Sequence, residues 1–141
     1  MIAGIASLVF IPLLAISAAH LIWAFGGTYP ASSKELLART VIGMPGRTSV
    51  PRLPSALIAI LIFAAGIIAL ALSDPAAGMT VISLGVVLAI VFLVRGAAGY
   101  TRAWAARTPI EPFRSMDRKF YSPLSLALGA GFVFLIVWRF V

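Results

Sequence analysis

The sequence alternates between long stretches without charged residues and shorter segments that contain them. No Asp, Glu, Lys or Arg precedes Lys34. Three further stretches carry no charged residue, at 53–73, 75–94 and 120–138. A helix needs about 20 apolar residues to cross a hydrocarbon core of about 30 Å, so each stretch is long enough to span a bilayer. The pattern predicts four transmembrane helices, over about 2–25, 55–72, 79–99 and 123–138.

The composition supports a membrane protein. Hydrophobic residues make up 62% of the 141 residues and charged residues only 11%, whereas soluble domains are about 45–50% apolar and about 25% charged. A soluble protein of this size could not bury so much apolar surface, because small domains have a high ratio of surface to volume. We therefore predict an all-α integral membrane four-helix bundle, with residues 1–141 forming a single four-span domain. The short link between spans two and three makes them antiparallel neighbours.

The basic residues are distributed unevenly between the predicted loops. Ten of the 11 lie either between spans one and two or between spans three and four. The link between spans two and three carries only Asp74, and we expect the remaining basic residue, Arg139, to reach the outer interface. The positive-inside rule places both basic loops in the cytoplasm and both termini outside. Anionic lipid headgroups are the predicted partners of these loops, and the net charge of +7 does not call for nucleic acid.

Local patterns refine the first span and the first loop. Residues 17–19 have the small-x-small form of a signal-peptidase site, but the positively charged start of a secretory signal is absent, so we expect no cleavage. Ser32 followed by Glu35 has the spacing of a capping box and predicts a short interfacial helix.

Small residues at four-residue spacing favour close helix packing, within the bundle or with a homo-oligomer or membrane-protein partner. These pairs are Ala65 and Ala69, Gly85 and Ala89, and Ala127 and Gly131.

Five polar or aromatic residues near the predicted cytoplasmic end form a candidate ligand or partner cluster. They are His20, Trp23, Arg95, Asp117 and Tyr121. His20 lies inside span one, where an ionisable group is a functional candidate, although a hydrogen bond to a neighbouring helix or to interfacial water is the simpler interpretation. Arg95 is interpreted as a snorkelling residue, as the ion-pair partner of Asp117 or Glu111, or as an anion-binding group for a phosphate.

The sequence gives no indication of an enzyme. Cysteine is absent, which excludes disulfides and thiolate metal sites. The chain has no glycine-rich phosphate loop, no HExxH pattern and no paired intramembrane carboxylates, so we predict no catalytic residue and no metal site. No cofactor is predicted, since haem with two axial histidines would need His20 from two chains.

Two classes of function remain open. The first is a non-enzymatic binding or partner subunit that uses the five-residue cluster. The second is a small transporter or proton-coupled carrier, which would need to oligomerise and in which His20 and Arg95 would line a pathway. An enzyme acting on lipid, or a haem or quinone redox subunit, is a third and weaker interpretation.

Three blocks of sequence carry a resemblance to a known group. They are HLIWAFGG at 20–27, FLVRGAAGY at 92–100 and EPFRSMDRKFYSPLSL at 111–126. With these blocks the chain resembles a bacterial family of small four-span membrane proteins that is catalogued as a domain of unknown function. A cysteine often follows the Tyr-Ser-Pro-Leu run in that family, whereas this chain has Ser125, so a thiol role cannot apply. The resemblance implies a bacterial inner-membrane location and four spans, and it brings no activity.

Overall fold

The computed structural model describes residues 1–140, and within that range it is helical without any strand. Four long helices are present: α1 (Ile2–Ala24), α3 (Arg52–Ala71), α4 (Met79–Ala98) and α7 (Ser122–Val137). Three short helices lie in the connections: α2 (Lys34–Val41), α5 (Arg102–Arg107) and α6 (Phe113–Met116). A π-helical turn, Asp117–Tyr121, joins α6 to α7, and a 3-10 turn, Trp138–Phe140, follows α7.

The lengths and composition of these helices define a membrane-spanning bundle. α1, α3, α4 and the continuous helical segment Phe113–Phe140 are each long and apolar enough to cross a bilayer. Large apolar side chains cover the outside, as Leu61 (67% exposed) and Val87 (55% exposed) illustrate. Lipid accounts for such a surface, which water would not tolerate. The predicted all-α integral membrane four-helix bundle is confirmed. α3 begins earlier than predicted, at Arg52, and the continuous helical segment that contains α7 begins earlier still relative to its predicted span, at Phe113.

The bundle consists of two antiparallel helix pairs. α1 packs mainly against α3, and α4 packs mainly against α7. Smaller contacts between α1 and α7 and between α3 and α4 join the two pairs. The spans linked by the short turn are therefore neighbours, as predicted, but each has its main partner elsewhere. Phe92 of α4 and Phe132 of α7 stack in the core with ring centroids 5.9 Å apart.

Glycines allow the close approach of α4 and α7. A Cβ added to Gly96 would lie 2.6 Å from Cγ of Leu126, and one added to Gly129 would lie 2.6 Å from Cγ of Leu93. Each leucine thus packs over a glycine of the facing helix. In lipid, such van der Waals packing takes the place of the hydrophobic effect as the force between helices.

The predicted small-residue pairs are only partly buried. The pairs in α3 and α4 lie inside the bundle. In α7, Ala127 is exposed, whereas a Cβ at Gly131 would collide with Val9 of α1. The α1–α3 contact also contains a hydrogen bond from Ser17 Oγ to the carbonyl of Ala59, at 2.8 Å.

One end of the bundle carries both basic connections, and we call it the basic end. There α1 and α4 finish, α3 and α7 begin, and the short helices lie in the connections between them. The predicted short helix in the first connection is present as α2, but its N-cap is Ser33, whose Oγ accepts from the N–H of Leu36 at 3.1 Å. The capping box predicted at Ser32 was wrong, because the extended residue at the helix start is one position later.

At the opposite end, Arg139 fastens the turn between α3 and α4. Its guanidinium donates four hydrogen bonds to main-chain carbonyls, those of Leu72, Asp74, Pro75 and Ala77. A simple snorkelling role at the interface therefore does not describe this residue. The first contact satisfies the carbonyl of the residue that caps the C-terminal end of α3, and the other three bind carbonyls of the turn.

Candidate functional site

An ion pair links the end of α4 to the π-helical turn. Arg95 Nη2 lies 2.5 Å from Asp117 Oδ1, and Arg95 Nη1 donates to Ser122 Oγ at 3.4 Å. The Asp117 side chain is 2% exposed and that of Arg95 is 32% exposed. Within residues 1–140 this is the only ion pair. A carboxylate so deeply buried needs a charged partner and further hydrogen bonds to remain ionised without a large cost.

Trp104 of α5 completes the surroundings of this carboxylate. Its indole Nε1 donates to Asp117 Oδ2 at 2.9 Å. The guanidinium carbon of Arg95 lies 4.8 Å from the centre of the Trp104 ring, which is a cation–π distance. Thr101 caps α5 by accepting from the N–H of Trp104 at 3.2 Å, which fixes the helix that carries the indole. Both oxygens of the carboxylate are thereby bound by groups from other elements.

The π-helical turn and a glycine shape the same region. The N–H of Ser122 donates to the carbonyl of Asp117, five residues earlier, in place of the α-helical bond to Arg118. The Arg118 carbonyl instead accepts from the Tyr100 hydroxyl at 3.2 Å. A Cβ at Gly99 would overlap Ser122 Oγ and lie 2.8 Å from Asp117 Oδ2. Only glycine therefore lets α4 end this close to the ion pair.

A cleft of about 220 Å³ opens beside the ion pair, and we call it the arginine cleft. Asp117 and the guanidinium-bearing residues Arg102, Arg114 and Arg118 contribute to its lining. Arg114 donates to the carbonyl of Ala105 at 3.1 Å, while Arg102 and Arg118 are exposed. Since Arg95 neutralises Asp117, the other three arginines give the cleft a net positive charge.

His20 and Trp23 form a separate pair on α1. Their ring centroids are 4.6 Å apart, and His20 Nδ1 lies 2.9 Å from the carbonyl of Ile16, one helical turn earlier. Trp23 Nε1 donates to the carbonyl of Tyr29 at 2.7 Å, which holds the chain that follows α1 against the helix. These contacts are local to α1 and the segment after it.

Tyr121 contacts a third region. Its hydroxyl donates to the carbonyl of Thr40 in α2 at 3.2 Å, and its ring lies 5.8 Å from that of Phe113. Glu111, considered as a partner for Arg95, instead accepts from the N–H of Ser115 in the first turn of α6, at 3.1 Å. The five candidates are thus arranged as a pair at Asp117, a pair on α1, and Tyr121 against α2.

Sequence reasoning missed three residues that contact Asp117 or its partner. Trp104 was not among the five candidates, and it lies outside the blocks that carry the family resemblance. Gly99 and Ser122 lie within those blocks, at 92–100 and 111–126, which was the only signal for them. Among residues 1–140, no group of three or more His, Asp or Glu side chains is placed to hold a metal ion.

The fold and the buried polar network define a class, a multi-pass membrane protein built as a four-helix bundle. Over residues 13–132 the chain matches the family described as "Protein of unknown function (DUF3995)". This match covers most of the chain, so the protein belongs to that family, and the resemblance seen in the three blocks is confirmed. No curated protein and no solved structure matches the chain significantly.

Proposed function

We propose that the protein is a non-enzymatic binding subunit of the bacterial inner membrane, and that the arginine cleft holds the phosphate of an anionic phospholipid. The observation that carries this proposal is the convergence of Arg102, Arg114 and Arg118 on one cleft whose only carboxylate is already paired. Guanidinium groups present planar, paired donors that match the oxygens of a phosphate.

The ion pair supports this function because Arg95 neutralises Asp117, the one acidic residue that lines the cleft. Arg95 is directed to Asp117 and lies over Trp104, so its charge is used within the protein. The arginines that remain are carried by α5, α6 and the π-helical turn. These short elements are held together by the indole hydrogen bond to the carboxylate. Ordering of these elements by contacts within the protein lowers the entropy cost of binding.

The size of the cleft favours a headgroup. Its volume of about 220 Å³ is below the range of about 300–1,000 Å³ that is typical of sites for drug-sized molecules. A phosphate with a small polar group fits such a volume, while the acyl chains of the same lipid would remain in the bilayer along the exposed apolar helices. A carrier requires a pathway, and His20 and Arg95 contact different helix pairs with no hydrogen bond between them.

The topology that goes with this proposal places the basic end in the cytoplasm and both termini outside. Ten of the 11 basic residues support it through the positive-inside rule. Cysteines introduced as Ala76→Cys and Ala106→Cys lie at opposite ends of the bundle, and both positions are exposed. In intact cells an impermeant maleimide should label the first and not the second. Labelling of the second alone would contradict this orientation.

The test of binding compares two variants that remove the same charge. The cleft variant carries Arg102→Gln and Arg118→Gln, and the control variant carries Arg39→Gln and Arg47→Gln, whose exposed side chains do not line the cleft. Binding of dihexanoyl phosphatidylglycerol to the purified protein in detergent is measured by calorimetry. Since each charged hydrogen bond contributes about 1.5–3 kcal/mol, the cleft variant should bind at least about tenfold more weakly.

The control accounts for the general attraction of basic loops to anionic headgroups, which is about 1 kcal/mol per residue near a charged surface. In detergent without anionic lipid, the control variant should bind the short-chain lipid as the native protein does. Equal weakening in both variants would show that the arginine cleft has no special role. Equal binding of phosphatidylglycerol and phosphatidylcholine would argue against recognition of net negative charge.

A further inference from the structure

A second cleft lies at the basic end of the other helix pair. It is formed where α1 ends in a glycine turn, where α2 begins and where α3 begins, and its volume is about 230 Å³. Its lining includes Trp23, Gly26, Gly27, Lys34, Leu37 and Arg52. It shares no lining residue with the arginine cleft, so each helix pair has a cleft of its own.

The charge of this second cleft is uncompensated. Lys34 and Arg52 both line it, and no acidic residue does. Neither side chain forms an ion pair or a hydrogen bond within residues 1–140. α3 begins at Arg52 with no side chain capping its start, so the positive end of its helix dipole adds to these two charges. Two like charges facing one space repel each other, and an anion placed between them removes that repulsion.

The arginine of the second cleft is seated on the glycine turn. Gly26 has a φ of +87°, a conformation that side-chain-bearing residues rarely adopt. A Cβ at this position would also lie 2.7 Å from Arg52 Nη2. The guanidinium therefore lies directly against the main chain of the turn, close to the N-terminal end of α3. Arg52 also lines the cleft, so its guanidinium lies beside the glycine turn at the edge of this space.

Two large apolar side chains in the lining, Trp23 and Leu37, are buried. Trp23 is 8% exposed and Leu37 is 2% exposed. Trp23 Nε1 is already bonded to the carbonyl of Tyr29, so the indole presents its ring as a wall. A site with two cations and apolar walls, at the level where the spans end, suits an amphipathic anion. Its volume, below about 300 Å³, fits a headgroup and excludes a whole lipid.

From these observations we propose that the second cleft binds the phosphate of a second anionic phospholipid, through Lys34 and Arg52. The protein then holds two such lipids per chain, one at the basic end of each helix pair. α2, which carries Lys34, also accepts a hydrogen bond at its Thr40 carbonyl from Tyr121, at the end of the π-helical turn that carries Arg118. This proposal concerns residues other than those of the proposed function, and the two can be tested separately.

The experiment counts short-chain lipids bound to the purified full chain by native mass spectrometry. The second-cleft variant carries Lys34→Gln and Arg52→Gln, the cleft variant carries Arg102→Gln and Arg118→Gln, and the control variant carries Arg39→Gln and Arg47→Gln. With dihexanoyl phosphatidylglycerol, we expect two bound molecules for the native and control proteins. Each of the other variants should retain one molecule, and their combination should retain none.

The outcomes separate the two proposals. If the second-cleft variant binds two molecules as the control does, the second site is refuted while the arginine cleft stands. If instead the cleft variant keeps two molecules and the second-cleft variant loses one, the proposed function fails and the second site stands. Inorganic phosphate is the competing probe. Displacement of the lipid by millimolar phosphate would show that free phosphate is the ligand, and would overturn the assignment to a lipid.

A second variant guards against misfolding. Lys34 is exposed and forms no hydrogen bond in the described chain, so Lys34→Gln alone should leave the fold intact. Loss of this one charge should weaken binding at the second cleft by about fivefold, the effect of one basic residue at a charged surface. Unchanged affinity in a folded Lys34→Gln protein would overturn the role of Lys34. Arg39→Gln, on the same short helix, is the matched control.

Discussion

The Arg95–Asp117 pair leads to a prediction about stability. Asp117→Asn should destabilise the native protein but stabilise a protein in which Arg95 has been replaced by methionine. Arg95→Met removes the charge that balances a carboxylate whose side chain is only 2% exposed. Removing one partner of a buried pair costs about 3–5 kcal/mol, because the other charge is left buried. Trp104 still donates one hydrogen bond to the carboxylate. We therefore expect Arg95→Met to lower the free energy of unfolding by about 3 kcal/mol.

Asp117→Asn should cost less in the native background. The amide is of nearly the same shape as the carboxylate, and its oxygen can still accept from Trp104. Arg95 is 32% exposed and can turn toward water when its partner is neutral. The substitution loses one charged hydrogen bond, and water can solvate the remaining charge of Arg95. We therefore expect the free energy of unfolding to fall by about 1.5 kcal/mol. The difference between the two single variants thus follows directly from the difference in exposure of the two side chains.

The double variant provides the decisive comparison. Once Arg95 is replaced by methionine, Asp117→Asn removes a buried carboxylate that has no charged partner. The substitution should therefore stabilise that protein by about 1 kcal/mol, although it destabilises the native one. The assay is equilibrium unfolding in mixed micelles with increasing dodecyl sulfate, followed by tryptophan fluorescence and circular dichroism. If Asp117→Asn is equally destabilising in both backgrounds, or if Arg95→Met costs less than Asp117→Asn, the inference from burial is refuted.

Three further predictions use the same unfolding assay. Gly99→Ala should lower the free energy of unfolding by about 1–3 kcal/mol, since its Cβ would overlap the hydroxyl of the serine that begins α7. The control, Gly4→Ala, has open space around its Cβ and should not destabilise the protein. Arg139→Met should cost about 1–2 kcal/mol and speed proteolysis in the α3–α4 turn, and unchanged cleavage there would contradict its fastening role. Tyr121→Phe should lower the free energy of unfolding by about 1 kcal/mol and accelerate hydrogen exchange in α2, because the hydrogen bond to the Thr40 carbonyl is lost. Faster exchange only in other segments would contradict a stabilising contact between Tyr121 and α2.

The spans were predictable because charges mark their ends. α4 was placed at 79–99 and is observed at Met79–Ala98, with Asp74 before it and Arg95 in its last turn. The start of α3 was placed at about 55, inside the charge-free stretch 53–73, whereas the helix begins at Arg52, before that stretch. A basic side chain at the interface can extend toward water while its main chain is helical.

The connections were less predictable because they depend on contacts between distant parts of the chain. The π-helical turn has no signature in the pattern of apolar residues. It is stabilised where it lies, by the Tyr100 hydroxyl that takes up the displaced Arg118 carbonyl and by the Arg95 guanidinium that meets Asp117. Local sequence does not contain these partners, which are 18 and 22 residues away along the chain.

The same limitation explains why five candidate residues were treated as one cluster. Topology places His20, Arg95 and Asp117 at the same end of the bundle, and that much follows from counting spans. It does not say which helices are neighbours. With α1 paired to α3 and α4 paired to α7, His20 and Arg95 belong to different pairs. Small-residue spacing did not help, because buried pairs in α3 and α4 and the exposed Ala127 look alike in sequence.

The structure also changes the meaning of the most conspicuous charge in the spans. Arg95 looked like a candidate for direct contact with an anion, yet it is committed to Asp117 and to the ring of Trp104. A buried ion pair is a weak source of stability, since well-packed apolar residues of similar volume often serve as well. Its specific effect here is on arrangement, because one carboxylate joins α4, α5 and the turn before α7. Beside Asp117, the charges that this arrangement leaves without an ion pair are those of Arg102, Arg114 and Arg118.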